Sequence, residues 1–212
     1  MTNNDQGDNS IELLAPAGSP QMAYAVCDAG ADAVYFAADA FGARAYAPNF
    51  SKKDAAAMLD YLHSRGRRAY LAINTLLKNI EIERRLFDIL RFYYEAGVDA
   101  VLVQDFGVLS LIRTYFPKLD IHASTQMNIS GEYGAGFLKK LGVKRIVLAR
   151  ELSLAEIKDV SIIPDIETEV FIHGALCVCY SGQCLMSSFL GGRSGNRGRC
   201  AQPCRLPYEV LS

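Results

Sequence analysis

The chain has 212 residues, half of them apolar, and a formal charge of -1. That length buries one sizeable core without requiring a second domain, and the balanced charge excludes a generally basic nucleic-acid coat, so polyanion binding must come from a local patch. No apolar run approaches the roughly 18 to 20 residues of a membrane span, and residues 1–10 (MTNNDQGDNS) lack the basic start and apolar middle of a signal peptide, which reads as a disordered tail on a cytoplasmic protein.

Short apolar or β-branched runs alternate along the chain with longer segments of helical period. The predicted strands are 11–15, 33–37, 68–74, 100–104, 120–126, 145–150 and 167–176, separated by six helical segments. Helix starts are marked by Ser19 followed by Pro20, and by Ser51, Ser130 and Ser153, the last with Glu156 in capping-box position. Three stretches echo one another: AGADAVYFA at 29–37, AGVDAVLVQ at 96–104 and LGVKRIVLA at 141–149 each set a glycine helix stop before a strand. Recurring helix–glycine–strand joints, with no G-x-G-x-x-G after the first strand, favour an α/β fold of the (β/α) TIM-like barrel type over 11–176. Seven visible strands, against the eight strands and ~250 residues of a closed barrel, make it an incomplete or open one.

Parallel barrels place their chemistry at the carboxyl ends of the strands. Those exits carry Asn74, Gln104, Asp105, Ser124, Gln126, Arg150, Glu151 and His173. Alternation along 120–126 sets His122, Ser124 and Gln126 on one face, where they can line a pocket. Asn74 and Gln126 serve either as ligand contacts or as loop ties. Arg150 is suited to clamp a carboxylate or phosphate and Glu151 to act as a base, with an intramolecular ion pair as the alternative, the two adjacent residues leaving the strand on opposite faces. His173 reads either as a proton carrier or as a satisfied core histidine, and His63 as a solvent-facing helix residue.

Five of the six cysteines fall within 169–205, which also holds four arginines and no acid after Glu169. With Cys27 the sole cysteine elsewhere, this clustering points to metal or redox chemistry rather than a disulfide scaffold. Cys177, Cys184, Cys200 and Cys204 have the spacing C-x6-C-x15-C-x3-C, which matches no zinc-finger or ferredoxin pattern, although soft thiolates suit zinc or an iron–sulfur centre. Unligated thiols in a loop are the alternative. Cys27 and Cys179 read as packing residues. Arg193, Arg197, Arg199 and Arg205 stand among glycine, serine and asparagine, a composition suited to gripping an RNA backbone or stacking on its bases, against a solvated loop charge.

The segment EVFIHGALCVCYSGQCLMSS (169–188) resembles the hallmark of the peptidase U32 family, the collagenase-like proteins. ELLAPAG (12–18), GADAVYFA (30–37), AINT (72–75), VQDFGV (103–108), HASTQ (122–126), LARELSL (148–154) and GRSGNRGRCAQPCRLPY (192–208) extend the likeness, closest to the branch that hydroxylates ribosomal RNA cytidine and near the branch that hydroxylates tRNA uridine. The resemblance implies a TIM-like barrel, a [4Fe–4S] cluster on cysteines, and hydroxylation of a pyrimidine in rRNA or tRNA with prephenate as co-substrate. Carried onto this sequence, the cluster ligands fall on Cys177, Cys184 and Cys200, with the fourth at Cys204 or beyond residue 212. The family's historical label is peptidase, yet the chain has neither H-E-x-x-H nor G-x-S-x-G. Proteolysis is the second reading, and a non-catalytic RNA-binding or assembly module the third.

Overall fold

The computed structural model describes residues 11–43 and 50–209. The tail expected at 1–10 lies outside them. Strands β1 (Leu14–Ala17), β2 (Ala33–Ala37), β3 (Arg68–Ile73), β4 (Ala100–Val103), β5 (Asp120–Ala123), β6 (Arg145–Val147) and β7 (Glu167–Glu169) form one sheet, each paired in parallel with the strand before it in sequence. Parallel neighbours require a crossover. It is supplied by α1 (Pro20–Asp28), α2 (Lys52–His63), α3 (Asn79–Glu81) running through a π-helical turn at Ile82–Leu86 into α4 (Phe87–Glu95), α5 (Phe106–Tyr115), α6 (Glu132–Lys140) and α7 (Leu154–Ser161). A last short helix, α8 (Met186–Gly191), follows β7. The result is the curled, open (β/α) TIM-like sheet expected from the repeated joints. Among the described residues no helix is long and apolar enough to cross a membrane.

The local signals act where they were read. Ser19, Ser51 and Ser153 accept hydrogen bonds from the backbone N–H groups of Met22, Asp54 and Glu156, and Glu156 returns a carboxylate to Ser153. Gly30, Gly97 and Gly142 close α1, α4 and α6 with φ of 103°, 87° and 80°, values that penalise a side chain. Ser130 does not cap. The backbone turns one residue later, at Gly131, which has no side chain with which to accept. Asp105 caps α5 instead, taking the N–H groups of Gly107 and Val108 on Oδ1.

Strand alternation sorts the side chains into two cores. Val34, Phe36, Leu71, Ile73, Val101, Val103, Ile121 and Ile146 face the helices in the large outer core, where Cys27 also packs as expected. Ala33, Tyr70, Ala100, Leu102 and Val147 form a small cluster on the inner, concave side, with Leu14 and Tyr35 against it.

Several strands are shorter than predicted at their carboxyl ends. β5 stops at Ala123, so Ser124 and Gln126 do not continue the face of His122. Ser124 caps a 3-10 turn at Thr125–Met127 that contains Gln126. β7 stops at Glu169, and the apolar run Val170, Phe171 and Ile172 is exposed, Ile172 to 83%. An apolar run becomes a strand only when neighbours pair and cover it, and beyond Glu169 no pairing partner is present among the described residues. His173 is therefore on no strand face; it lies exposed in irregular chain.

The amino-terminal ends of the strands converge on buried charge. Arg145, 8% exposed in its side chain, donates from Nη1 to Glu12 Oε1 at 2.5 Å and from Nε to Glu167 Oε2 at 2.7 Å. Glu12 also pairs with Arg68 and accepts from Tyr70 Oη at 2.9 Å. Glu169 Oε2, 3.6 Å from Arg145 Nη1, is beyond hydrogen-bond length and has no hydrogen-bond partner. Burial, reinforced by the charges of Glu12 and Glu167 and opposed by Arg145, pushes the Glu169 carboxyl up to about 7. Burial, followed by the charges of Arg145, Arg68 and Lys144, pushes His122 down to about 3.

These two groups give opposite slopes. Glu169 holds its proton more tightly folded than unfolded, so its contribution is full below the ordinary 4.5 and is lost as pH rises through 7. His122 resists protonation when folded, so stability is lost as pH falls from 6.5 toward 3. Glu169→Gln, which imitates the protonated acid, should match wild type near pH 5 in chemical denaturation and exceed it by on the order of 2 kcal/mol at pH 8. A difference that does not grow with pH would remove Glu169 from this account.

A cysteine-rich strap over the strand exits

After β7 the chain returns across the carboxyl ends of the strands and is fastened at two places. Near the exits of β5 and β6, Ser181 is fully buried. Its N–H and Oγ donate to Glu151 Oε1 and Oε2 at 3.1 and 3.3 Å, and its Oγ accepts from Arg150 Nε at 3.2 Å. Thr125 Oγ1 lies 3.4 Å from the same hydroxyl. Next to it, Gly182 has φ +70°, and a Cβ there would stand 2.5 Å from Gln126 O. Only glycine permits both the conformation and the approach.

The second fastening is at the exits of β2 and β3. Gly198, φ +72°, packs its backbone directly on Gly42 and Ala43. Leu76 N–H donates to Asn196 O at 3.0 Å, and Arg197 donates to Leu76 O at 2.9 Å and to Glu81 Oε1 at 2.6 Å. The Arg197 guanidinium beside Glu81 holds that carboxyl below the usual range. Asn74 Oδ1 accepts from Ala43 N–H at 3.0 Å, fixing the loop on which Gly198 rests. Residues 177–205, fastened at 181–182 and 196–198, thus form a strap across the strand exits.

The expected site residues now divide by role. Arg150 and Glu151 do not pair with each other; both hold Ser181, and Arg150 Nη2 reaches Cys179 O at 3.5 Å. Asn74 is a loop tie. Gln126 lies beneath Gly182 with its Oε1 buried and unpartnered. His173 is exposed and makes no hydrogen bond among the described residues. Arg197 is engaged by Glu81 and Leu76, so its charge is already paired within the chain. Arg193, Arg199 and Arg205 are exposed, with Arg193 Nε donating to Arg199 O and Arg205 Nη2 to Leu176 O. Only a contact across more than a hundred residues of sequence separates Arg197 from its neighbours in role.

All six cysteines are free thiols. Cys177, Cys200 and Cys204 are exposed and Cys184 is half-buried. Cys179, read from sequence as a packing residue, sits instead against another thiol: partial burial, the neighbouring Cys184, to which it hydrogen-bonds, and Cys177 push it above the ordinary thiol range. A Cβ on Gly195 would stand 3.7 Å from Cys200 Cβ and 3.8 Å from Cys184 O, so the glycine brings those two cysteine segments close. Among the described residues no three His, Cys, Asp or Glu side chains converge as a metal-ligand set. The donors fit a thiophilic centre in chemistry, being free soft thiols on a glycine-rich backbone, and are gathered in the strap without being pre-assembled.

Sequence reasoning missed Ser181, Gly182 and Gly198 as fasteners and named Gln104 only as one of several polar residues at the strand exits. Gln104 alone carried a usable signal, as the inward-facing successor of Ala100 and Leu102. Gly182→Ala and Gly198→Ala should each release one end of the strap. Amide hydrogen exchange over 177–200 is expected to quicken at least tenfold while the strands keep their protection; unchanged exchange in both variants would refute the two-point fastening.

Comparison with known proteins agrees with this architecture. The peptidase family U32 model matches residues 18–212. The chain is 46% identical over 202 residues to a 23S rRNA 5-hydroxycytidine synthase of Escherichia coli, covering 94% of this chain and 30% of that protein. It is 37% identical to the tRNA hydroxylation protein P of the same organism, covering 94% of this chain and 44% of the relative, and 32% identical to a collagenase of Porphyromonas gingivalis, covering 95% and 51%. The chain therefore spans 30% to 51% of the length of these relatives. Among solved structures, the U32 peptidase Mk0906 superposes with a TM-score of 0.64 at 15% identity, covering 80% of this chain and 72% of the other, a likeness of fold. The barrel-type sheet, the strap and the matched family model lead to one assignment: this chain belongs to peptidase family U32.

Proposed function

We propose that the complete protein, of which this chain supplies the barrel and its strap, is an enzyme that hydroxylates a pyrimidine base of RNA, ribosomal RNA in the first instance. The observation that carries the reading is the 46% identity to the 23S rRNA 5-hydroxycytidine synthase across 94% of this chain, strap included. Relatives named for tRNA hydroxylation make tRNA the nearest alternative substrate. The exposed Arg193, Arg199 and Arg205 give the strap a cationic outer face for phosphate contacts. At the strand exits Gln104 and Gln126 bury carboxamide oxygens without partners, groups suited to a base withdrawn from its stack.

Replacing a ring C–H by C–OH inserts one oxygen atom and takes two electrons from the base, so both the oxygen donor and the terminal two-electron acceptor are co-reactants from outside this chain. Cys177, Cys184 and Cys200, with Cys204 or a later residue, are the thiols proposed to hold a [4Fe–4S] cluster, which when bound supplies one-electron transfer. Prephenate, implied by the family resemblance, is proposed as co-substrate. The chain's own contribution is to fasten the thiol-bearing strap over the strand exits through Ser181 and Arg197.

The collagenase relative brings proteolysis forward as the second reading. Of the three histidines, His63 pairs with Asp99, His122 is buried at the opposite end of the strands, and His173 is exposed and unbonded. Among the described residues none is hydrogen-bonded to a serine or cysteine as a nucleophile requires.

Two measurements test the proposal. Nucleoside mass spectrometry of rRNA and tRNA from a deletion strain should show loss of one hydroxylated pyrimidine; unchanged pools in both RNAs would refute the hydroxylase. Anaerobically purified full-length protein should contain iron and sulfide and lose its visible absorbance in Cys177→Ser, Cys184→Ser and Cys200→Ser while keeping it in Cys27→Ala; stoichiometric zinc in a colourless protein would refute the cluster.

A further inference from the structure

We infer that Gln104 is the residue in the floor of the mouth that reads the hydrogen-bonding edge of the pyrimidine, an inference that rests on the hydroxylase reading. Gln104 directly follows β4, where Ala100 and Leu102 belong to the inner cluster. Ser124 N–H donates to Val103 O beside it, and the strand's alternation, extended by one residue, sets its side chain on the same concave side. It is 7% exposed, yet its Oε1 has no hydrogen-bond partner. A buried carbonyl left unpaired costs about 1–3 kcal/mol, and a folded chain keeps such a group where something else is to meet it.

Its surroundings point to a ligand rather than to a structural partner. The next exit, on β5, is hydrogen-bonded alongside: Ser124 N–H donates to Val103 O at 2.8 Å. Ser124 is itself buried, and its Oγ is taken by Gln126 N–H. Gln126 Oε1 is likewise buried without a partner, and Gly182 of the strap packs on its backbone, two residues before Cys184. On the other side, the exit of β3 shows the contrast: the Asn74 carboxamide there is satisfied by Ala43 N–H. Two adjacent exits beneath the thiol-bearing strap therefore present unpaired carboxamides, while their neighbour does not.

A carboxamide offers one acceptor and one donor side by side. Cytosine presents an amino donor beside a ring-nitrogen acceptor, and uracil a ring N–H donor beside a carbonyl acceptor. Turned over, the same side chain matches either edge. Gln104 thus selects a pyrimidine edge held in the mouth without choosing between cytosine and uracil, and leaves that choice to other residues.

Gln104→Leu in the full-length protein tests this, because leucine keeps the volume and removes the polar pair. Its melting temperature should equal or exceed that of wild type, and kcat/KM for hydroxylating the RNA substrate should fall at least tenfold. The substrate side gives a second test that does not depend on folding of a variant: RNA methylated at N3 of the target pyrimidine blocks the edge and should not be hydroxylated by wild type. Wild-type rates in Gln104→Leu, or unimpaired hydroxylation of the N3-methylated RNA, overturn the assignment of Gln104 alone. A wild type that hydroxylates no pyrimidine overturns the hydroxylase reading and this inference with it.

Discussion

The buried guanidinium of Arg145 is the interaction on which the shape of the sheet depends. It projects from β6, reaches Glu167 on β7, and crosses the concave side to Glu12 just ahead of β1. Glu12 in turn binds Arg68 and Tyr70 on β3. One carboxylate and one guanidinium thereby connect the two outer strands of the sheet through its interior. Buried ion pairs seldom add net stability, but removing one partner leaves the other charge unsolvated at a cost of roughly 3–5 kcal/mol. The network acts as a register device: a sheet that flattened would have to bury these charges unpaired.

The curl fixed at the amino-terminal ends brings the carboxyl ends close enough for one short strap to span them. Residues 179–182 rest on the exits of β5 and β6, and residues 195–198 on the exits of β2 and β3. Both footholds combine a glycine at positive φ with a charge-assisted hydrogen bond, Gly182 with the Ser181–Glu151 contact and Gly198 with the Arg197–Glu81 pair. The glycine allows the approach, and the charged contact secures it. The two ends of the sheet thus have separate tasks, ionic closure below and a covered polar mouth above. Barrel enzymes separate stability from chemistry along the same axis.

The strap carries Cys179 and Cys184 on either side of Gly182, whose backbone packs on that of Gln126. Gln104 and Gln126, at neighbouring strand exits, each bury a carboxamide oxygen without a partner. Arg150 and Glu151, which look catalytic in sequence, hold the two layers together through Ser181. Both hydrogen-bond the same loop residue, which positions the segment that carries Cys179 and Cys184. The cationic side of the strap faces outward, where Arg193, Arg199 and Arg205 are exposed.

Sequence alone determined the parallel βα order, the strand cores, three of the four serine caps and the three glycine helix stops. All of these are local: they depend on side-chain period, on a hydroxyl three residues from an N–H, or on a φ that only glycine adopts cheaply. It also singled out the cysteine-rich segment as the candidate for metal or redox chemistry, because composition needs no geometry. What only the tertiary structure decided were the partners: that Arg197 belongs to Glu81, 116 residues away, that Arg150 and Glu151 belong to Ser181, and that Cys179 stands beside Cys184. It decided as well that β7 ends at Glu169 although apolar residues follow, since a strand exists only where another strand pairs with it. Hydrogen bonds and ion pairs between residues distant in sequence leave no periodic trace in it, and they emerge only when the curled sheet brings its exits together.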